Sequence, residues 1–416
     1  MSSPARIAIL SNGHLCRNPR VLKEATTLAQ AGYDVTVLTI RNHAPSEIVD
    51  QVLLGNAPFR LQAVDLLRGY QTSALAVLWR RVVTWAARRA CRQLGLQSIH
   101  ALGPATSLLN HARCLPADLF ITHNEVPHWV GTRLIAEGRR VCADIEDWHS
   151  EDLLPAHRKG RPVALLRRIE AKLLHNAVHT TTTSEALANA LHARYGGRRP
   201  LVLTNSFPLQ PLPNLVPNAP PAFFWFSQTL GPGRGLEEFM VAWRGTAHPS
   251  RLVLIGTPTP GYVCHLLNLL PPERHTTVSF LPLVSPDELP ALIARHDIGL
   301  ALEQSTIPSR DLTITNKILQ YLNAGLGIVA TPTTGQREVL KQASNAGLLV
   351  NLHQAEEVTR QLDELLVDRA RLYSMRSDAR AAAEQHYCWE QETPRFLKCI
   401  KDALQTPAGH AAPSHS

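Results

Sequence analysis

The sequence predicts an α/β protein of two doubly wound halves, and three observations carry that prediction. At 416 residues the chain exceeds the size at which one core keeps growing, so two domains of roughly 200 residues each are expected. Short apolar runs alternate with helical patterns in both halves, an order that builds a parallel sheet covered by helices. Between Ser206 and Ala222 stand Pro208, Pro211, Pro213, Pro217, Pro220 and Pro221, too many missing donors for a helix or sheet interior. Residues 208–222 are therefore read as an interdomain linker, with one domain at 1–207 and the other at 223–386.

In the first half, residues 6–10 read as a buried strand, and Asn18 with Pro19 supplies an N-cap and first-turn proline for a helix running to Ala31. Gly32 stops that helix and residues 33–39 form the next strand; further strands are predicted at 119–122, 140–143, 179–182 and 201–203. In the second half the predicted strands are 223–226, 252–255, 277–280, 298–302, 327–331 and 348–350. Ser285, Pro286, Asp287 and Glu288 combine a cap, a first-turn proline and an acidic first turn, which marks a helix start. Residues 387–405 read as a terminal helix, and the small polar residues from 406 as a disordered tail.

The most informative run is DLTITNKILQYLNAGLGIVAT, residues 311–331. Ile314, Ile318 and Leu322 recur at four-residue spacing, Gly325 supplies a left-handed stop, and Ile328, Val329 and Ala330 make an apolar strand. The helix opens at Asn316 and Lys317, where a lysine opposes the dipole unless an anion shares the site. Earlier in the same half, SQTLGPGRGLEEF follows a strand. There Gly231, Gly233 and Gly235 permit close backbone approach, and Arg234 offers a forked, permanent cation suited to diphosphate oxygens. Taken alone, this loop reads equally as a glycine turn bearing a solvated arginine.

The 311–331 run resembles the "PxK, EY, small residues, G, xPVVAT" stretch of GT-B glycosyltransferases, especially the retaining family 4, the glycosyl transferases group 1. The glycine loop resembles that family's "G, R, L" loop, with Arg234 at its basic position. The resemblance implies two Rossmann-like domains facing a cleft and a C-terminal helix crossing back to the first domain. It also implies a nucleotide-sugar donor, with neither cofactor nor metal. Arg234 and Lys317 then become the catalytic cations on the donor diphosphate, and Gly233, Gly235, Leu283, Asp311, Thr315, Asn316 and Gln320 the donor-binding candidates. Two positions depart from the family. The glutamate that binds ribose hydroxyls is Gln320 here, an amide that still hydrogen-bonds but less strongly than a charged acceptor. The earlier glutamate falls on Leu312, so contacts to the donor sugar pass either to Asp311 or to Glu303.

In the first half, Asn12, Gly13 and His14 follow the first strand, with Arg17 and Arg20 close by as charges for an anionic acceptor or as plain surface. Polar clusters also follow two later strands: His123, Asn124 and Glu125, then Asp144, Glu146, Asp147, His149, Glu151 and Asp152. The second cluster resembles the family's "D, x, H, E" segment. Asn12, Gly13, His14, Arg17, His123, Asp147 and His149 are the acceptor-side candidates. No dedicated base is required, because in a retaining transferase the departing phosphate can deprotonate the acceptor. Histidines and carboxylates also ligate divalent ions, whereas the resemblance implies a metal-independent reaction.

With 44% hydrophobic and 18% charged residues, the composition excludes disordered and fibrous classes. The seven cysteines show no CxxC pair or metal-ligand spacing, which fits a reduced, cytoplasmic setting. The net charge of +8 is compatible with nucleic acid, anionic membrane or anionic substrate, or with solvated arginines alone. Arg68, Arg80, Arg81, Arg88, Arg89 and Arg92 accompany Leu78, Trp79, Val82, Val83 and Trp85. That stretch reads either as a peripheral contact with the inner face of an anionic membrane or as an ordinary helix covering the sheet. No nucleic-acid reader motif accompanies it. The expected activity is transfer of a sugar, with retention, from a nucleotide-diphosphate donor to a glycan or lipid-linked acceptor. The alternatives are a catalytically silent binder, favoured by Gln320 and Leu312, and a nucleotide-sugar epimerase of the same architecture.

Overall fold

The structure, a computed structural model, describes residues 3–70 and 72–407. The chain divides into two compact units, one running to Leu203 and taking in the chain from Thr393 on, the other Thr204–Glu392.

The first unit is built on a seven-stranded parallel sheet: β1 (Arg6–Leu10), β2 (Asp34–Arg41), β3 (Arg60–Asp65), β4 (Leu119–His123), β5 (Val141–Ile145), β6 (His179–Thr182) and β7 (Leu201–Val202). Their spatial order is β3-β2-β1-β4-β5-β6-β7, with β1 between β2 and β4. The second unit repeats the plan with six parallel strands: β8 (Ala222–Leu230), β9 (Arg251–Pro258), β10 (Val278–Leu281), β11 (Ile298–Ala301), β12 (Gly327–Ala330) and β13 (Gly347–Leu349). Their order is β10-β9-β8-β11-β12-β13. Strand order therefore reverses between β1 and β4 in one unit and between β8 and β11 in the other. At such a switch point the loops leaving the strands diverge and open a crevice for a ligand.

Helices cover both faces of each sheet, so central strands are buried throughout, as β4, β5, β11 and β12 are; β11 and β12 read in sequence as unbroken apolar runs, while β4 and β5 carry Thr122, His123 and Asp144 toward their ends. β3, absent from the sequence prediction, is an edge strand with only its last two residues buried, so it carries no such run. β8 extends to Leu230, past the predicted end, through a register shift between Phe226 and Thr229. The predicted caps form: Asn18 Oδ1 accepts from Val21 N at 3.2 Å. Ser285 Oγ accepts from Glu288 N at 3.3 Å and Glu288 Oε2 accepts from Ser285 N at 3.1 Å, although regular helix begins only at Leu289.

The proline-rich stretch, expected as a linker, belongs to the second unit and is tied to it. Prolines donate nothing, so the carbonyls around them need donors from elsewhere. Arg376 supplies Asn214 O at 2.8 Å and Val216 O at 3.3 Å, and Arg380 supplies Gln210 O at 2.9 Å. Arg376 is itself buried against Asp297 at 2.7 Å, and Asp297 also accepts from Asn218 N and Ala222 N. The terminal helix is Trp389–Gln405, and Thr406 N still donates to Asp402 O at 3.1 Å; residues 408–416 of the expected tail lie outside the described residues.

One close contact sets the height of the helix Asn316–Asn323 over the second sheet. A Cβ on Gly299 of β11 would lie 2.3 Å from Tyr321 Cγ, and Tyr321 Oη donates to Leu300 O at 3.2 Å. Gly299→Ala must push Tyr321 outward and should lower the unfolding free energy by about 1–3 kcal/mol, as overpacking does. An unchanged urea midpoint would contradict this packing.

Candidate functional site

The loops that leave β8 and β11 meet at the second unit's switch point. Gly233 and Gly235 have φ of +74° and +77°, and a Cβ on Gly235 would stand 2.6 Å from Leu302 O and 2.8 Å from Gln304 Nε2. Only glycine allows the first loop to lie on the second so closely. This abutment carries Arg234, half-buried, on one loop and Glu303 on the other. Lys317 enters from the first turn of the helix Asn316–Asn323, with Nζ 2.5 Å from Glu303 Oε1 and 5.6 Å from the centre of the Trp225 ring. Burial pushes the Arg234 guanidinium below its ordinary pKa and Arg310 pushes it further, while Glu303 and Tyr262 pull it back up. Lys317 is thus paired with Glu303 directly, while Arg234 feels that carboxylate and the Arg310 cation through space. Sequence reading missed Arg310, because an isolated arginine in the short helix Pro308–Leu312 carries no motif.

Thr315 Oγ1, Gln320 Oε1 and Glu303 Oε2 are buried without a hydrogen-bond partner. Thr315 occupies the N-cap position of the Lys317 helix yet makes no capping bond. Three polar atoms left so are a desolvation cost that ligand hydroxyls would remove. Asp311 is not among them: its carboxylate accepts from Thr334 N at 3.1 Å and Thr334 Oγ1 at 2.7 Å, at the start of the helix Thr334–Gln342. Of the two acids left open by the sequence, Glu303 is the one held against Lys317. Asn316 Oδ1 accepts from Asn205 Nδ2 at 2.9 Å, which leaves it a bracing part, and Leu283 lies exposed in the loop after β10.

In the first unit the loops after β1 and β4 also meet, through Asn12 N donating to Asn124 Oδ1 at 3.4 Å, while Gly13 takes φ +113°. His14, expected to face an acceptor, is closed off. Its Nε2 accepts from Asn42 N at 3.2 Å and His43 N at 3.0 Å, so Nδ1 carries the proton and donates to Asp50 Oδ2 at 2.8 Å. Arg20 is likewise no surface charge: it is buried between Glu24 at 3.2 Å and the Asp144 carboxylate, and donates to Leu203 O at 2.8 Å. Arg17 is exposed, with Nη2 3.1 Å from His43 Nδ1.

His123 ends β4 fully buried, its Nε2 3.1 Å from Glu24 Oε2 and its Nδ1 3.1 Å from Glu146 Oε1. Burial alone would lower its pKa, but Glu24, Glu146 and Asp144 together raise it to about 10, so the ring is an imidazolium at neutral pH. Sequence reading missed Glu24, whose one signal is its position four residues after Arg20 on a helix. Asp147 is exposed. His149 is buried with its Nε2 unpartnered, in a group with Glu125 and Asp152 that Arg161 bridges at 2.8 and 2.9 Å.

Among the described residues of this unit, three groups bring His and carboxylate atoms within 4.8 Å of one another: His14, Glu47 and Asp50; Glu24, His123 and Asp144; Glu125, His149 and Asp152. In the first, His14 and Asp50 accept from backbone N–H groups and Glu47 is paired with Arg41 at 2.8 Å. In the other two, Arg20 and Arg161 already stand where a cation would bind.

Residues 222–368 match the family model described as glycosyl transferases group 1. The matched stretch lies within the second unit. No curated protein matches the chain in sequence. Among solved structures it is similar to Anabaena HepE in complex with UDP and glucose, at TM-score 0.67 and 18% identity over 95% of this chain and 99% of that one. It is also similar to sucrose-phosphate synthase of Thermosynechococcus elongatus, at TM-score 0.67 and 15% identity over 95% and 98%. A protein assigned as a UDP-N-acetylglucosamine 2-epimerase from Listeria monocytogenes aligns at TM-score 0.59 and 12% identity over 98% and 99%. At such identities the likeness shows the fold, and it is the GT-B fold of two Rossmann-like units that the sequence resemblance implied.

Two outcomes follow from these arrangements. Arg234→Ala and Lys317→Ala should each weaken nucleoside-diphosphate binding by about 1–3 kcal/mol in calorimetry, the loss of one charge-assisted contact; unchanged affinity in both would remove the site. The His123 imidazolium stabilises the fold fully below its ordinary pKa of 6.5, and that contribution is lost as pH rises through about 10. Urea midpoints should therefore fall across that window, and His123→Gln should flatten the fall; an unaltered slope would show that His123 is not charged.

Proposed function

We propose that this glycosyltransferase domain holds a nucleotide-diphosphate sugar at the β8/β11 switch point and passes the sugar to a glycan or lipid-linked acceptor with retention, in polysaccharide or glycoconjugate biosynthesis. The observation that carries the reading is the Lys317–Glu303 pair at 2.5 Å on the same abutment of loops that carries Arg234. A diphosphate entering there gains two cations in a half-buried setting, where charge-assisted contacts are strong. As the bond from the anomeric carbon to the diphosphate oxygen breaks, negative charge grows on that oxygen, and Arg234 and Lys317 stabilise it. The acceptor hydroxyl bonds to the same face of the sugar and its proton passes to the departing phosphate. Gln320, Thr315 and Glu303 offer unpartnered atoms for ribose and sugar hydroxyls. Uridine donors are the first to test, since HepE binds UDP.

Incubating the protein with a nucleotide-sugar panel, with and without glycan and polyprenyl-linked acceptors, should give nucleoside-diphosphate release that depends on acceptor. Donor binding without turnover, or interconversion of donor sugars without acceptor, would overturn the proposal.

A further inference from the structure

The helix Ala74–Leu94 is doubly amphipathic, and only one of its faces is used by the fold. Val77, Thr84 and Cys91, at seven-residue steps, are buried. On the opposite side Leu75, Leu78, Trp79, Val82 and Trp85 recur at helical spacing and stand exposed, at 79%, 48%, 68%, 44% and 63%. Trp148, Trp225, Trp243 and Trp389 are all buried, so the exposed tryptophans among the described residues are gathered on this one face. An apolar strip of this kind on a soluble surface marks an interaction site rather than chance exposure.

The charges around the strip name the partner. The helix holds five arginines, Arg80, Arg81, Arg88, Arg89 and Arg92, and no aspartate or glutamate. Arg80 donates to Asp65 O at 2.9 Å, Arg81 to Leu66 O at 2.8 Å and Arg88 to Ala101 O at 2.8 Å, so three of them also clamp the helix to the unit. Arg89 lies 5.9 Å from the Trp85 ring centre and Arg92 is exposed in the last turn, both on the outer side. A second copy of the helix would set five arginines against five with no acid between them. An anionic bilayer offers what the face lacks: phosphates for the guanidinium groups, an interfacial zone suited to tryptophan, and hydrocarbon for leucine and valine. No helix among the described residues is long and apolar enough to cross a membrane, so the contact would be one of lying on the surface.

We infer that the outer face of the helix Ala74–Leu94 docks this protein on anionic phospholipid, with Trp79 and Trp85 inserted at the interface and Arg89 and Arg92 on the headgroups. The inference goes beyond the proposed reaction and does not depend on it, because it is read on the protein and lipid alone. The test is co-sedimentation with phosphatidylcholine vesicles made with and without phosphatidylglycerol, plus quenching of tryptophan by brominated chains. Binding should require phosphatidylglycerol, weaken with salt and quench part of the fluorescence. Arg89→Gln with Arg92→Gln should weaken it about ten- to thirty-fold. Trp79→Ser with Trp85→Ser should abolish the quenching while circular dichroism stays that of the parent, since both side chains are outside the core. Binding that ignores phosphatidylglycerol, quenching retained in the tryptophan variant, or a dimer in sedimentation that this variant dissolves would each overturn the inference.

Discussion

Lys317 and Glu303 hold each other at 2.5 Å where the loops after β8 and β11 come together, and the rest of the site is arranged around that pair. A lysine in the first turn of a helix faces the positive end of the dipole, so it is tolerated only with an anion beside it. Glu303 is that anion within the protein. The close approach of Gly235 to Leu302 and of Gly299 to Tyr321 fixes the two loops and the helix so that Arg234, Lys317 and Glu303 remain neighbours. A diphosphate brings more charge than one carboxylate and can take over both cations, which converts a structural ion pair into a binding site.

The first unit uses charge differently. Arg20, Glu24, His123 and Asp144 neutralise one another inside the protein, and His14 is bound on both ring nitrogens. Such networks rigidify the ends of β1, β4 and β5, but a group with all its partners inside the fold has little to offer a substrate. Arg17, Asp147, His149 and the loop at Asn12 and Gly13 are the acceptor-side candidates outside this buried network. The two units thus share a plan but differ at their switch points: the charged groups behind β1 and β4 are paired with one another, whereas Thr315, Gln320 and Glu303 in the second unit keep buried atoms without a partner.

Much of the fold was legible because central strands covered on both faces are mostly apolar, and because Ile314, Ile318, Leu322 and Gly325 fix a helix and its end by spacing alone. Edge strand β3 left no such trace. In the site, Arg234 and Lys317 were legible through glycines and a dipole conflict lying within a few residues of them. The roles of His14, Arg20 and Asp311 were not, since their partners lie 36, 124 and 23 residues away and only the folded chain brings them together. The proline-rich stretch misled for the same reason: its missing donors are made good by Arg376 and Arg380 from far along the chain.

The central claim is that one diphosphate bridges Arg234 and Lys317 and displaces Glu303 from Lys317. A crystal structure of the protein with a bound nucleoside diphosphate tests it most directly. The account predicts phosphate oxygens within hydrogen-bonding distance of both the Arg234 guanidinium and Lys317 Nζ, with Lys317 drawn away from Glu303 Oε1. Phosphate density away from the β8 and β11 loops, or a Lys317–Glu303 pair unchanged with the nucleotide in place, would contradict it.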